Sequence, residues 1–246
     1  MATIRQSASG GMTGADPDTA TFASSPVQGN LLLAIASERS GGDASNHTLT
    51  GITGWTHEII QTTEQANSTY RRTFSVFYKE AGASESTGVT LDDGTANDKY
   101  LSIYEYEHGV GEDQWTLLDS VSADNGQTIG GTTQTTGTTA SVSGTMLLFA
   151  GLLAKRGASS SDISVTWDND VDLEDAEFNP GASQDMSHAA GSTSADTVTG
   201  TKESTGTLGA SANNRGLDAG MLVFDIVSTG GSSIPVFMHH YTKNMG

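Results

Sequence analysis

The chain has 246 residues, with 11 Lys and Arg against 29 Asp and Glu, a formal charge of −18 and no cysteine. The absence of cysteine excludes a disulfide framework and a thiolate zinc site, and the negative charge argues against binding to a phosphate backbone. No stretch approaches the roughly 18 consecutive apolar residues of a membrane span. From the charge we therefore expect no nucleic-acid binding, and from the missing apolar stretch no membrane insertion.

The composition favours β-structure. The chain contains 33 Thr, 29 Ser and 30 Gly, over a third of all residues, but only 4 Pro. Small polar residues that tolerate strands, combined with many turn formers, are typical of an all-β protein of one large or two small domains. The acid excess with only 5 Lys predicts a halophilic source, since carboxylates keep a surface hydrated in salt; an ordinary acidic surface protein is the alternative.

The first residues, 1–18, form a polar segment that we expect to precede the folded domain. They contain no apolar stretch of the kind that a secretory signal requires. We therefore expect a protein that is not exported through a signal peptide.

Five short apolar runs predict buried strands, because each is bounded by Gly, Asp, Asn or Ser. They span residues 30–37, 73–79, 100–106, 145–154 and 220–227. The run 145–154 could also form a buried helix, but its length and the glycines around it favour a strand.

Weaker alternating runs lie between these five. They span residues 48–52, 55–61, 88–91, 117–122, 138–143, 163–173 and 197–202. Together the runs predict about ten to twelve strands, at the spacing of a β-sandwich or barrel. The Thr- and Gly-rich stretch 126–143 fits either an edge strand or a long loop.

The sequence changes character after the predicted sandwich, which spans residues 19–228. Residues 229–246 begin with a Ser- and Gly-rich tether, which is followed by an apolar segment. The residues that make this segment adhesive are Ile234, Pro235, Val236, Phe237, Met238 and Tyr241. We interpret it as an extended assembly arm that docks elsewhere; the alternative is that it folds back onto its own sandwich.

Several motifs follow one another in a recognisable order. GWT at 54–56 is followed by FYKEAGASE at 77–85, GVTL at 88–91 and the apolar runs 101–106 and 145–153. This order resembles a jelly-roll-like β-sandwich domain of decoration and tail proteins in tailed viruses, either phages or haloarchaeal viruses. Some bacterial surface proteins carry a similar domain. The resemblance covers about residues 28–154 and, more loosely, 220–227.

The resemblance implies an antiparallel jelly-roll fold and a structural or adhesive role. It brings no catalytic residues, so no enzyme is expected. Because relatives on cell surfaces are exported, the missing signal favours a virion component, which is assembled in the host cytoplasm. Its expected partners are other capsid or tail subunits and further copies of this chain.

One acidic cluster is a candidate metal site. If residues 163–173 form a strand, alternation places Asp168, Asp170, Asp172 and Glu174 on one face. Four carboxylates repel one another, so they either bind a cation or stay solvated, and oxygen ligands suit Ca²⁺ or Mg²⁺. The spacing excludes an EF-hand, and a solvated acidic face is the alternative.

Aromatic residues suggest a second kind of site. Tyr104 and Tyr106 alternate with Glu105 and Glu107, so the tyrosines share a strand face. Together with Trp115 they are candidates for stacking on a sugar, which would make the domain a host-recognition or carbohydrate-binding module. The two glutamates would suit a glycosidase only if one had a raised pKa, and no neighbouring residue predicts that.

The leading expectation is therefore a non-enzymatic virion protein that projects from the capsid or tail of a tailed virus of a halophilic host and forms a homo-oligomer. The alternative is a carbohydrate-binding β-sandwich involved in host attachment. No cofactor is expected beyond the candidate Ca²⁺ or Mg²⁺.

Overall fold

The computed structural model describes residues 1–11, 18–40, 51–64, 71–91, 98–109, 114–124, 131–156, 164–169, 186–209 and 214–227. These residues form strands and turns, with no helix among them. The predicted all-β fold is confirmed.

The described residues form fourteen strands. In chain order they are β1 (Thr3–Gly11), β2 (Asp18–Thr21), β3 (Leu31–Ser40), β4 (Thr56–Glu64), β5 (Arg71–Glu80), β6 (Gly88–Leu91), β7 (Asp98–Glu107), β8 (Gln114–Asp124), β9 (Thr133–Thr135), β10 (Val142–Arg156), β11 (Ser164–Asn169), β12 (Met186–Gly200), β13 (Ser204–Gly209) and β14 (Asn214–Val227).

The strands form four sheets. The five-stranded sheet has the order β1-β7-β3-β5-β4, and the four-stranded sheet has the order β12-β10-β14-β8. A three-stranded sheet, β11-β13-β9, and a two-stranded sheet, β2-β6, complete the fold. Every strand pair is antiparallel. The predicted antiparallel β-sandwich is therefore confirmed, while its jelly-roll connectivity stays a prediction.

Three apolar clusters hold these sheets in layers. The central cluster lies between the five-stranded and four-stranded sheets and includes Leu33, Phe149 and Leu222. A second cluster packs the three-stranded sheet on the outer face of the four-stranded sheet, and a third packs the two-stranded sheet on the outer face of the five-stranded sheet. The layer order is therefore two, five, four and three strands.

This layering explains the continuous apolar runs of the central strands. In β3, Leu33 and Ile35 face the central cluster, whereas Leu32 and Ala34 face the two-stranded sheet. All four are fully buried. A strand covered on both faces needs apolar residues at successive positions, so alternation is lost.

Small residues let the two central sheets approach closely. Gly151 of β10 lies directly opposite Gly220 of β14, on the face towards the five-stranded sheet. A Cβ atom on Gly151 would lie 2.8 Å from Ile35 Cδ1 and 2.9 Å from Phe74 Cζ, and one on Gly220 would lie 2.8 Å from Ile59 Cδ1. The glycine pair is therefore a hollow that receives large side chains of the opposite sheet.

The FYKEAGASE motif forms the end of β5 and the turn that follows it. Lys79 Nζ lies 2.9 Å from Glu85 Oε2, and Glu85 Oε2 also accepts a 3.2 Å hydrogen bond from the amide of Gly82. The amide of Ala81 donates to Asn30 O at 2.8 Å. The motif therefore closes the β5–β6 connection and ties it to the start of β3.

The five predicted buried strands are confirmed as β3, β5, β7, β10 and β14, and the helical alternative for 145–154 is wrong. Two differences concern the predicted boundaries. Residues 3–11 form β1, which pairs with β7, so the sandwich begins before the predicted boundary at residue 19. The short strand β9 lies within 126–143, where the sequence fits either an edge strand or a long loop, and β13 lies in sequence without a strand prediction.

Candidate functional site

Glu105 is a buried carboxylate that accepts hydrogen bonds from four donors. Its side chain is fully buried, on the face of β7 opposite to the central cluster. Oε1 accepts hydrogen bonds from the amide of Val27 at 2.7 Å and from Asn30 Nδ2 at 2.6 Å. Oε2 accepts from Arg5 Nη1 at 2.6 Å and from Gln6 Nε2. Four donors thus satisfy both carboxylate oxygens.

Local backbone geometry brings these donors together. The pairing of β1 with β7 shifts register between Ile4 and Gln6, and this bulge lets the consecutive side chains of Arg5 and Gln6 reach the same carboxylate. On the other side, Gly29 has a φ of 86°, which only glycine adopts without strain, in the turn between Val27 and Asn30.

The charge state of Glu105 follows from these contacts. Burial by itself would raise the pKa of Glu105, but the hydrogen bonds from Val27, Asn30, Gln6 and Arg5 outweigh burial and lower the pKa below its ordinary value. Glu105 is therefore a structural anion that fastens the N-terminal strand and the turn before β3 to the five-stranded sheet. A glycosidase needs the opposite, a carboxyl group with a raised pKa that can donate a proton.

His188 forms the second buried polar centre. It lies on β12, is 1% exposed, and faces the five-stranded sheet. Its Nδ1 lies 2.8 Å from Ser37 Oγ on β3, and its Nε2 lies 2.7 Å from Ser102 Oγ on β7. The imidazole therefore bridges two adjacent strands of one sheet from a strand of the other.

The Ser37–His188–Ser102 group contains a histidine bonded to hydroxyls, as a serine hydrolase does, but its position excludes that chemistry. Both serines are fully buried, so no substrate reaches either hydroxyl. Burial also lowers the pKa of His188 to about 3, which keeps the ring neutral at neutral pH. A neutral ring donates one hydrogen bond and accepts the other, and hydroxyls can serve both roles.

His57 is a third polar group of interest, and it lies partly buried on the outer face of the five-stranded sheet. Its ring stacks on Phe77 with a centroid distance of 4.1 Å, and its Nε2 has no hydrogen-bond partner within the described part of the chain. Burial, opposed only by a backbone hydrogen bond to Ile59, lowers the pKa of His57 to about 4. The ring therefore packs as a neutral aromatic group.

The predicted stacking residues are core residues, and this correction removes the exposed aromatic site. Tyr104 and Tyr106 are 1% and 2% exposed, and their ring centroids lie 5.4 Å and 6.1 Å from that of Phe149. Trp115 is 8% exposed and donates from Nε1 to Gly29 O at 2.9 Å. The tyrosines were correctly assigned to one strand face, but the four-stranded sheet covers that face.

The predicted cation site lies largely outside the described residues. Asp168 belongs to β11, opposite Thr205 of β13, and this strand ends at Asn169. Asp170, Asp172 and Glu174 fall outside the part of the chain that the structure describes. Within the described ranges, no three His, Asp or Glu side chains are grouped in a way that could hold a metal ion.

The predicted assembly arm also falls outside the described residues, which end at Val227. This applies to all six of its named residues, Ile234, Pro235, Val236, Phe237, Met238 and Tyr241. Among the residues that are described, no helix is long and apolar enough to cross a membrane.

Sequence reasoning did not identify the two polar centres. Ser37, Ser102 and His188 are separated by 65 and 86 positions and belong to no motif. The sequence suggests for Glu105 only a catalytic role, not an anchoring one. The one signal for its anchoring role is the presence of a carboxylate inside a run that is predicted to be a buried strand.

Comparisons with protein-family models, with curated proteins and with solved structures find no match to this chain. The resemblance of the motif order to virion domains therefore stays a prediction.

Proposed function

We propose that this chain is a non-enzymatic structural protein of a virion, which projects from the capsid or tail of a tailed virus of a halophilic host and assembles as a homo-oligomer. The observation that supports this role best is that two buried polar side chains stabilise the fold. Glu105 and His188 are residue types that often act in catalysis, but here Glu105 accepts hydrogen bonds from neighbouring donors and His188 bonds to two serine hydroxyls. Glu105 holds β1 and the turn before β3 in place within one sheet, and His188 joins the two central sheets, as expected of a rigid building block.

The distribution of charge supports a protein adapted to salt. Arg72 and Lys99 are buried, and Arg5 and Lys79 form ion pairs with carboxylates. These four basic side chains therefore contribute little positive charge to the surface of a chain whose formal charge is −18. Such a surface repels itself in dilute buffer, and added salt screens the repulsion.

The buried aromatic residues weaken the alternative of a carbohydrate-binding module. Stacking on a sugar requires an exposed ring face, and Tyr104, Tyr106 and Trp115 do not provide one. A glycan-binding role would therefore require a surface other than the one expected from the sequence.

The test of the proposed function is the oligomeric state of the purified full chain, measured by size-exclusion chromatography with light scattering in low and high salt. A matched variant combines the substitutions Ile234→Ser, Val236→Ser, Phe237→Ser and Met238→Ser. We expect a closed homo-oligomer that salt stabilises and that the arm variant loses while keeping its β-sheet circular dichroism. A folded monomer in both salts, for both chains, would contradict the assembly role, and binding to a glycan array by that monomer would establish the alternative.

A further inference from the structure

β12 is an edge strand whose side chains form hydrogen bonds across the central interface. Among the described strands it pairs only with β10 and forms one edge of the four-stranded sheet. Side chains at two positions of β12 join it to the five-stranded sheet and to the residue before β1. Ser194 Oγ accepts a 2.8 Å hydrogen bond from the amide of Ala2, and His188 bridges Ser37 and Ser102. The backbone of residues 186–190 pairs with β10, and the His188 side chain adds a polar bridge from this end of β12 to the five-stranded sheet.

The surroundings of His188 make this attachment sensitive to the charge of the ring. The facing residues Ser37 and Ser102 are fully buried, and Leu153 of β10 lies directly opposite His188. A protonated ring could still donate to both hydroxyls, but its charge would lie in an interior that water does not reach. Opening the contact would return the charge to water.

Other ionisable groups near this end of the central interface do not remove the free-energy cost of a buried charge on His188. The inner face of β7 contributes Tyr100, whose ring centroid lies 6.2 Å from that of His188 in an edge-on arrangement. Arg72 on β5 and Asp218 on β14 occupy inward-facing positions of their strands and are buried. Arg72 and Asp218 carry opposite charges, and burial is the cause that lowers the pKa of His188.

We propose that His188 is an acid-sensitive latch, which holds the start of β12 against the five-stranded sheet while the ring is neutral and releases it in acid. The released part comprises residues 186–190, from the first residue of β12 to Ala190 of the central cluster. Residues 186–190 also pair with residues 151–155 of β10, so release separates this end of the ladder as well. The rest of β12 keeps its pairing with β10 and the hydrogen bond of Ser194. Acid would then open one edge of the central interface without unfolding the sandwich.

The working range of the latch follows from linkage. The pKa of His188 is about 3 in the closed state and 6.5 for a solvated histidine. Between these values only the open state binds the proton, so each pH unit of acidification raises the ratio of open to closed molecules about tenfold. Because half of the open molecules are already protonated at pH 6.5, the expected increase from pH 6.5 to about pH 4.5 is about fiftyfold.

Hydrogen exchange of the full chain tests this latch. Amide exchange of residues 186–190 is measured at neutral pH and at about pH 4.5, each corrected for the intrinsic rate, in the wild type and in His188→Gln. Gln offers an amide donor and acceptor but does not titrate. We expect a large acid-induced loss of protection at 186–190 in the wild type and a much smaller one in the variant. His57→Gln is the matched control, since it removes another partly buried histidine and should leave the response of β12 intact.

Two results would overturn the latch. One is an equal acid response of residues 186–190 in the wild type and in His188→Gln; the other is a uniform loss of protection over all strands. If His188→Gln does not fold, the latch is tested by an NMR titration that measures the protonation midpoint of the His188 ring in the wild type. A ring that stays neutral in the closed state down to about pH 4 supports the latch, and a midpoint near 6.5 in the closed state contradicts it.

Discussion

Gly151 and Gly220 face each other across the β10–β14 pair, and the hollow between them receives Ile35, Phe74 and Ile59 from the opposite sheet. Neither glycine has a positive φ, so the requirement for glycine at these positions is one of space and not of backbone conformation. The distance between the two central sheets therefore depends on the absence of two methyl groups.

Gly151→Ala should destabilise the protein by about 1–3 kcal/mol, because the new methyl group would overlap Ile35 and Phe74. Urea unfolding at neutral pH measures the change. Gly88→Ala is the control, because its Cβ would meet only Thr19 Cγ2, at 3.7 Å, and Ser86 Oγ, at 3.9 Å, and should change stability by less than about 0.5 kcal/mol.

A double variant shows whether contact is the cause. Ile35→Val removes the Cδ1 atom that lies 2.8 Å from the new methyl group, so Gly151→Ala with Ile35→Val should cost less than the two single changes added together. Strict additivity would mean that the cost of Gly151→Ala arises elsewhere than from this contact.

Glu105→Gln should destabilise the folded protein by about 3 kcal/mol at neutral pH, because Arg5 loses its buried counter-charge and one amide hydrogen of the new side chain would face a donor. Glu107→Gln is the matched control on the same strand. Its side chain is exposed, so the change should stay within about 0.5 kcal/mol. Equal effects of the two changes would argue against the anchoring role of Glu105.

The lowered pKa of Glu105 predicts that the free energy of unfolding depends on pH. The pKa of Glu105 is lower in the folded state than the ordinary 4.5, so the unfolded chain takes up the proton first as pH falls. Its stabilisation is present above 4.5 and is lost as pH falls towards the folded pKa. Glu105→Gln should therefore lose less stability than the wild type over that acidic range, in urea unfolding at a series of pH values.

The sequence predicts the central strands well because they are buried on both faces, and an apolar run such as Leu31–Ala36 has few other interpretations. β9 and β13 could not be predicted in this way, since Thr and Gly dominate both and their burial comes from the neighbouring sheet. The alternation of Tyr and Glu along β7 is predicted correctly, but both faces are buried at positions 104–106. The four-stranded sheet covers the tyrosines, and the turn that carries Val27 and Asn30 covers Glu105; a single strand contains no information about either.

His57 should titrate with a midpoint near pH 4 in the folded protein, well below the ordinary 6.5, because burial against Phe77 disfavours the charged ring. Two-dimensional NMR of the ring nitrogens measures this midpoint directly. Phe77→Leu should move the midpoint upwards, since a smaller neighbour admits water to the ring. A midpoint that stays near 6.5 in the wild type would mean that His57 is solvated.

Tyr104→Ala should destabilise the sandwich by about 3–5 kcal/mol, because it removes a buried ring that packs on Phe149. Tyr104→Phe keeps the ring and serves as the control for its packing. If binding to any glycan is found, Tyr104→Phe should leave it unchanged. Weaker glycan binding by a stably folded Tyr104→Phe would bring this residue back as a ligand contact.

Salt should raise the melting temperature by several degrees between dilute buffer and molar NaCl, because exposed carboxylates repel one another while Arg5 and Lys79 are engaged in ion pairs. Differential scanning calorimetry at a series of NaCl concentrations measures the effect. Replacing the exposed Glu80 and Glu107 by Gln should raise the melting temperature in dilute buffer and flatten its dependence on salt. Charge screening predicts this convergence at high salt, whereas a general salting-out effect would shift both proteins equally at every concentration. Parallel curves would therefore remove the physical support for a halophilic host.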